Sequence, residues 1–515
     1  MATLQALSTL LVDRAPVLST ALLVFLGALL VPHLLQKVQL WKIPIVGEEL
    51  GNTEKRRQAY LAGARSLYTD GYRKFKDGVF RITTSRNSSI VVLSPNFLPE
   101  LKKLSDDVVS MSAAVDETME SKYTRIDTYV PIVPHTIKGS LTPSLVHLNP
   151  TIAEEVREAL DLEMPKGKDW TEVNIHHVLL RVVAMASGRV FIGPELCRTE
   201  QYLDSAINYT MEVMGAQRAV QSLRPWLRPI LANRLPQVKK LDHRIKEAEE
   251  FMAPVIKRRQ EAAADPSFEK PMDMLQWIMD AQPKFSDKTS QNLAKVQLGI
   301  SFAAIHTTTL TATNAFYDLA ALPDLAAELR EEARQALAEN GGVFTSNALQ
   351  SMKKMDSFLK ETLRLHPASM AAFQRKVLKT FTLSNGQVIP AGVSIEVPAV
   401  AVNADCDLFP KADQMDPLRF YRLRQDAKKS GSVEGAALNQ FVSVTQSSLT
   451  FGYGRHACPG RFFAANEIKM ILVNFLMRYE AKNVKGVTGR YPNIEFAHMS
   501  IPDPSKMMMF REISA

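Results

Sequence analysis

The chain contains 515 residues, of which 46% are hydrophobic, and its formal net charge is +8. No stretch within residues 40–515 is rich enough in Gly, Ser or Pro to be a linker, so one large domain with a sizeable core is predicted. Three cysteines, Cys197, Cys406 and Cys458, are too few and too scattered for a disulfide framework, which indicates a reducing compartment. The basic residues are dispersed, so we expect an anionic lipid surface or an acidic partner and no binding of nucleic acid.

The N-terminal segment has no charged residue between Arg14 and Lys37 and is dominated by Leu, Val, Ala and Phe. About 22 helical residues would span roughly 33 Å, which is enough to cross the hydrocarbon core of a bilayer. The segment is too long for the core of a signal peptide and lacks a small-x-small cleavage site, so we expect an uncleaved single-pass anchor over residues 1–38. The domain that follows, residues 39–515, is predicted to face the cytosol, because basic residues come after the apolar segment: Lys37, Lys42, Lys55, Arg56 and Arg57.

The distribution of apolar residues predicts a mainly α protein with small β-sheets. Strands are predicted at Val79–Thr84 and Ile90–Leu93, and helical periodicity prevails from about residue 150 onwards. Residues 291–322 contain no proline and predict a helix of about 32 residues, roughly 48 Å long, which could cross a whole domain. Asn385-Gly386 predicts the turn of a second hairpin, between residues 381–384 and 387–389.

The most informative segment begins at Phe451, ends at Gly460 and contains Cys458. Apolar residues at helical spacing follow it, so Cys458 stands at the beginning of a helix, where free backbone N–H groups and the helix dipole favour a thiolate. A thiolate is the axial ligand that iron needs if an O–O bond is to be cleaved. Gly452, Gly454 and Gly460 would let the backbone bend tightly and approach a flat ring, and Phe451 would shield the sulfur from water.

This loop resembles the haem-binding signature of the cytochrome P-450 family, and the resemblance extends over nearly the whole chain. It implies that Cys458 is the proximal ligand of the iron of haem b and that His456 contacts a haem propionate. It also implies a cytosol-facing enzyme of the endoplasmic reticulum membrane, which inserts one oxygen atom of O₂ into a lipophilic small molecule.

The same resemblance implies that electrons come from NADPH through cytochrome P-450 reductase, with cytochrome b5 as a further candidate partner. Residues 461–464 and 419–422 are similar to fungal microsomal members of secondary metabolism. Terpenoid oxidases related to kaurene oxidase are the nearest kind, so a terpenoid or a related secondary metabolite is the expected substrate.

A second motif supports the resemblance. Glu361 and Arg364 are three residues apart, and therefore lie on one face of a helix. Alone such a pair is common on exposed helices, but its place before the cysteine loop is similar to the Glu-x-x-Arg motif of the family, with Arg419 as the third member. The resemblance implies a buried structural network of these three residues that holds the cysteine loop beneath the haem.

The long helix carries Ala303–Thr309, which resembles the family segment that relays protons during oxygen activation, with Thr307 and His306 in the catalytic positions. Two residues depart from the family pattern, because Ala304 replaces a glycine and His306 replaces an acid. Histidine can still donate and accept protons near neutral pH. The alternative is that the threonine hydroxyls hydrogen bond only to helix carbonyls.

Two further basic residues are assigned by resemblance. Arg375 aligns with a residue that usually meets a haem propionate, and Lys138 would stand at the end of the propionate helix, although the Trp of that motif is missing. Largely apolar segments are expected to surround the substrate, and the same segments could simply be core: residues 112–136, Phe302, Ala303, Met370–Phe373 and Met499–Pro502.

Two other functions compete with a monooxygenase. One is a haem-thiolate isomerase or dehydratase without net oxygenation, which would not consume NADPH and O₂ with its product. The other is a non-catalytic lipid-binding protein that has kept the fold, and the intact set of Cys458, Glu361, Arg364 and Arg419 argues against it.

Overall fold

The computed structural model describes residues 2–86, 88–285 and 292–513, and it is mainly helical with small sheets, as the sequence predicts. The α-helices in chain order are α1 (Ala2–Trp41), α2 (Thr53–Ala62), α3 (Arg65–Lys74), α4 (Leu98–Leu101), α5 (Met111–Met119), α6 (Ser121–Thr124), α7 (Ile132–Thr136), α8 (Thr142–Glu163), α9 (Ile175–Phe191), α10 (Glu200–Ser222), α11 (Arg228–Leu231), α12 (Pro236–Ala262), α13 (Met274–Ala281), α14 (Leu293–Ala321), α15 (Pro323–Ala338), α16 (Ser346–Ser351), α17 (Lys353–Leu365), α18 (Ala399–Asn403), α19 (Arg419–Lys429), α20 (Val433–Leu438) and α21 (Arg461–Arg478).

The strands form small, separate sheets. They are β1 (Val79–Thr83), β2 (Ser89–Leu93), β3 (Val109–Ser110), β4 (Thr171–Val173), β5 (Ala372–Val377), β6 (Phe381–Thr382), β7 (Val388–Ile389), β8 (Ser394–Val397), β9 (Tyr479–Asn483), β10 (Asn493–Phe496), β11 (Met499–Pro502) and β12 (Met508–Glu512). The largest sheet has the order β1-β2-β8-β5-β3, and the others are β4-β12-β9, β6-β7 and β10-β11.

Both predicted hairpins are confirmed. β1 pairs antiparallel with β2 and β6 with β7, although the second pair is shorter than the sequence predicts. Gly386 in the second turn has a φ of +84°, the left-handed conformation that an Asn-Gly turn requires. Period-2 alternation and turn residues are local features, so the sequence was sufficient for both.

The predicted long helix is α14, which is 29 residues long and ends two residues before Pro323. It packs against α9, α10, α12, α17 and α21, and most of its side chains are buried. Gly299, Ala303 and Thr307 form an exposed stripe on one face, although the residues around them are buried or half-buried. The other faces of α14 pack against neighbouring helices, so this stripe is the face that stays accessible.

The described part of the predicted anchor, residues 2–38 of 1–38, falls within α1, a single helix of 40 residues. Within the described residues, no helix combines the length and the hydropathy that crossing a bilayer requires, and the membrane-spanning segment stays a prediction. The chain after α1 joins the body of the protein, because Ile43 is fully buried and Leu40 packs against the core of the largest sheet.

Candidate active site

The loop that carries Cys458 is a tight turn closed by its own backbone. The N–H of Cys458 donates to the carbonyl of Phe451 at 2.8 Å. Gly452 and Gly454 have φ angles of +78° and +71°, which glycine adopts without strain. Gly460 has a φ of −84°, which other residues also adopt. The backbone therefore requires glycine at Gly452 and Gly454 but not at Gly460, where the sequence also suggested it.

The sulfur of Cys458 lies at the N-terminal end of α21, as predicted. The backbone N–H groups of Gly460 and Arg461 and the charge of Arg461 lower the pKa of the thiol, but desolvation is the largest effect, and the pKa is raised. The helix terminus alone therefore does not produce the thiolate that the sequence suggested. A bound metal cation would, because coordination deprotonates a thiol.

Access to the sulfur is retained despite this desolvation. The Cys458 side chain is exposed, whereas Cys197 is buried and desolvation raises the pKa of its thiol to about 11. Cys406 is also exposed, but it lies in the loop after α18, away from any helix N-terminus. Of the three cysteines, Cys458 alone combines an accessible sulfur with backbone donors directed at it.

The protein supplies iron with one thiolate ligand and leaves the other ligands to a prosthetic group. No cluster of three or more His, Cys, Asp or Glu side chains that could hold a metal ion is found among the described residues. A single cysteine ligand fits haem, because the haem would bring its own nitrogen ligands for the iron and Cys458 would add the thiolate. The ring of Phe451 packs edge-on against the ring of Phe441, with 5.5 Å between the ring centroids, and this contact holds the cysteine loop.

Arg375 is a cation buried in β5. It is 5% exposed, its guanidinium donates to the carbonyl of Gln374 at 2.7 Å, and it lies 4.2 Å from the centre of the Phe373 ring. Desolvation lowers the pKa of Arg375 to about 10, and no carboxylate of the described chain forms an ion pair with it. Such a group calls for an anionic partner, so this position fits a haem propionate.

His456 and Arg375 line the same cleft, so the structure brings together two of the predicted propionate residues. The ring Nε2 of His456 lies 3.0 Å from Asp106 Oδ1, and the guanidinium of Arg455 lies 3.1 Å from the same carboxylate. Asp106 thus orients both side chains. Arg455 also lines the cleft, and the sequence analysis did not identify it.

Lys138 is not brought into this group. It is exposed in the single π-helical turn Ile137–Leu141, and within the described part of the chain it forms no hydrogen bond or ion pair. Its assignment to a propionate stays a prediction from resemblance.

Thr307 lies on the exposed stripe of α14, where the sequence placed it. Its hydroxyl donates to the carbonyl of Ala303 at 2.8 Å, which is the back-bonding alternative raised from the sequence. A hydroxyl that donates to a carbonyl keeps its lone pairs free, so Thr307 can still accept a hydrogen bond from a water or a substrate.

His306 points to α10 and not along the stripe. Its Nε2 lies 2.8 Å from the carbonyl of Ile207, and a carbonyl only accepts, so Nε2 carries the proton. Desolvation lowers the pKa of His306, although the hydrogen bond to Ile207 opposes this shift. His306 therefore ties α14 to α10, and its role as a proton donor stays a prediction.

The predicted network of Glu361, Arg364 and Arg419 is present and buried. Arg364 forms a bidentate pair with Glu361, both distances being 2.8 Å, and Arg419 Nε lies 3.1 Å from the same carboxylate. The remaining guanidinium donors hold backbone carbonyls of the segment between α18 and α19, namely those of Asn403, Pro410, Ala412 and Gln414. The network fixes that segment directly, and not the cysteine loop as the resemblance implied.

A second buried network, which sequence reasoning missed, reaches the cysteine loop. Asp356 of α17 pairs with Lys469 of α21 at 2.6 Å and with Arg424 of α19 at 3.0 Å. It also accepts the backbone N–H of Phe441 at 2.8 Å, and Phe441 packs on Phe451 of the loop. These attractions lower the pKa of Asp356 although burial opposes them. No local spacing marks this set, because its members come from distant parts of the chain.

We expect Glu361→Ala to yield haem-poor and poorly soluble protein. The substitution leaves two buried guanidinium groups without a carboxylate, which costs about 3–5 kcal/mol. The measurement is haem per polypeptide and soluble yield. Glu331→Ala is the matched control, because Glu331 forms a similar pair with Arg334 on an exposed helix surface and should change little. Full haem loading of Glu361→Ala would contradict the structural role.

Comparison with known proteins agrees with this geometry. Residues 134–509 match the family Cytochrome P-450. A cytochrome P-450 monooxygenase of Stachybotrys chlorohalonatus, ATR3, is 43% identical over 429 residues, which cover 83% of this chain and 90% of that protein. The monooxygenase braC of Annulohypoxylon truncatum is 35% identical, with 96% and 97% of the two chains covered. An ent-kaurene oxidase of Fusarium fujikuroi is 32% identical, with 98% and 95% covered.

The matches cover 90–97% of these relatives, and the range that matches the family, residues 134–509, contains the cysteine loop, both buried networks and the stripe of α14. The donor set at Cys458 and the buried Arg375 fit the haem that this family uses together with electrons from NADPH. The chain therefore belongs to the cytochrome P-450 family and is a haem-dependent monooxygenase.

Proposed function

We propose that the enzyme oxidises a lipophilic secondary metabolite, with a terpenoid as the first substrate class to test. The single observation that carries the chemistry is the accessible Cys458 sulfur, which receives backbone donors at the start of α21. The terpenoid class is supported by the likeness to an ent-kaurene oxidase over 98% of the chain. The isomerase alternative gains no support from any contact in the described residues.

The surroundings of the exposed stripe on α14 favour an apolar substrate. The stripe itself is lined by Gly299 and Ala303, and the half-buried Phe302 lies next to it on α14. Such walls take up a molecule by excluding water from it, and a few polar groups then fix its orientation. Thr307 is the polar group on that stripe.

Each residue of the site has a distinct task in this proposal. Cys458 binds the iron, and Arg375 and His456 orient the propionates. The haem supplies the activation of O₂. Thr307 accepts and passes protons inside the pocket, whereas His306 holds α14 against α10 through Nε2 and offers its other ring nitrogen, Nδ1, for proton transfer.

We expect the reduced wild-type protein to give the thiolate-type Soret band with carbon monoxide, and Cys458→Ala to lose it because no other sulfur stands at the haem. Cys197→Ala and Cys406→Ala are matched controls and should keep the band. A normal band in Cys458→Ala would contradict the assignment.

The substrate class is tested in the same strains. Cells that contain the enzyme and a matched reductase are fed candidate terpenes, and mass spectrometry looks for products that have gained oxygen. Cys458→Ala should give none. A product without added oxygen and without NADPH consumption would support the isomerase alternative, and oxidation of non-terpenoid metabolites alone would contradict the terpenoid class.

A separate prediction concerns proton delivery. We expect Thr307→Ala to release more hydrogen peroxide and less product per NADPH, because the pocket loses the hydroxyl that orders a proton donor. His306→Ala should slow product formation by about tenfold or more without weakening substrate binding. Thr308→Ala, which changes the buried neighbour, is the control and should couple normally. Normal coupling in all three variants would leave back-bonding as the only role of these hydroxyls.

We further propose that α1 attaches the enzyme to the endoplasmic reticulum membrane with the catalytic domain in the cytosol. The proposal is supported by exposed apolar side chains along α1, including Leu23, Val24, Phe25 and Trp41. The basic residues that follow α1 agree with this orientation.

Deletion of residues 1–36 should reduce the share of protein in the membrane fraction without changing haem content, because α1 supplies no residue to the site. The measurement is the distribution between membrane and soluble fractions after a salt wash, with haem per polypeptide as the control. Some binding should survive through exposed apolar residues elsewhere, such as Trp226 and Ile230. A truncated protein without haem would show that anchor and catalytic domain are not separable.

A further inference from the structure

A carboxyl group is buried in the five-stranded sheet at Glu396 of β8. The side chain is 1% exposed and receives two neutral donors: the Tyr68 hydroxyl at 2.5 Å on Oε1 and the Gln374 amide at 3.0 Å on Oε2. No lysine or arginine of the described chain pairs with it, and burial raises its pKa. An apolar side chain would be easier to bury here, so stability alone does not account for the glutamate.

Strand β5 is irregular at the point that faces Glu396. The pairing of β5 with β8 shifts register between Ala372 and Arg375, so that Phe373 and Gln374 together stand opposite Glu396. Two residues opposite one form a β-bulge, which bends a strand and redirects its side chains. Phe373, the first residue of this bulge, has a φ of +55°, a conformation that usually belongs to glycine.

The bulge is next to the haem-binding residues. Phe373 and Arg375 line the cleft that also contains His456 of the cysteine loop, and the Arg375 guanidinium rests on the Phe373 ring. The conformation of the bulge therefore sets the position of the Arg375 guanidinium in the cleft. A strained backbone persists only where its surroundings over-determine it, and the bond from Gln374 to Glu396 is the side-chain contact that spans the bulge.

Glu396 is itself fixed from the other side. Tyr68 comes from α3, and its hydroxyl is close enough to that of Tyr60 for each to shift the pKa of the other. The Tyr60 hydroxyl in turn lies 3.1 Å from Nδ1 of His498, in the turn between β10 and β11. Glu396 is thus the point at which a buried polar chain meets the bulge.

We propose that Glu396 is a positioning residue, which through Gln374 holds the β5 bulge in the conformation that presents Phe373 and Arg375 to the haem. A carboxyl suits this task because its two oxygens accept from Tyr68 and Gln374 at once. The proposal rests on the assignment of Arg375 to a haem propionate, and it adds a residue that does not touch the haem.

The test is the rate at which purified holoprotein gives up haem to apomyoglobin, followed by absorbance. Glu396→Leu and Gln374→Leu should each lose haem about tenfold faster than wild type, because each removes the buried hydrogen bond that fixes the bulge. The double variant should be no faster than the faster single variant, because both substitutions break the same bond. Glu396→Gln should stay within about twofold of wild type, since an amide can bond to both partners.

Val92→Ala is the matched control for lost stability. Val92 pairs with Glu396 across β2 and β8 and is fully buried, but it takes no part in the polar chain. Its midpoint of thermal unfolding should fall while its haem loss stays within about twofold of wild type. Equal haem loss in Val92→Ala and Glu396→Leu, additive effects in the double variant, or no rescue by Glu396→Gln would overturn the proposal. A wild-type protein that lacks haem would instead contradict the function proposed for Cys458.

Discussion

The accessible sulfur of Cys458 has to carry a negative charge although the atoms packed around it disfavour one, and the site is organised around this electrostatic constraint. Desolvation raises the pKa of the thiol, and the backbone donors of Gly460 and Arg461 only partly oppose it. Nearby, the buried guanidinium of Arg375 forms no ion pair with any carboxylate among the described residues, and Asp106 attracts it only from beyond ion-pair contact. The protein therefore offers a sulfur that can bind a metal cation and a buried guanidinium that favours an anion. Haem, with iron at its centre and carboxylates at its edge, would satisfy both groups.

The positions of Cys458 and Arg375 depend on other residues that do not touch the haem. Glu361 fixes the segment before α19 through two arginines, and Asp356 connects α17 with α21 and, through Phe441, with the cysteine loop. Burying such charges costs desolvation energy, so they contribute less to net stability than their distances suggest. What they provide is a single geometry, because removing any one partner leaves the others buried and unpaired. Glu396 extends the same logic to the hydrogen-bonded network beside Arg375.

The central helix α14 shows how one element serves both packing and chemistry. Its exposed stripe carries Thr307, whereas the next face is occupied by other helices, and His306 on that face donates to a carbonyl of α10. Adjacent residues on a helix are about 100° apart, so a neighbouring pair in sequence does not share a surface. For this reason Thr307 and His306, which the sequence suggested as one proton relay, lie on different faces of α14. Thr307 is on the accessible stripe, and His306 binds α10.

The sequence by itself determined the features that depend on local spacing. The two hairpins, the extent of α14, the place of Cys458 before α21 and the shared face of Glu361 and Arg364 all follow from periods and turns within a few residues. Only the tertiary structure decided the rest. Asp356 and Lys469 are 113 residues apart in the sequence, and Glu396 and Tyr68 are 328 residues apart. Contacts at such separations produce no local sequence pattern that could predict them. The direction of the Cys458 pKa shift was likewise beyond the sequence, because desolvation depends on every atom packed around the sulfur.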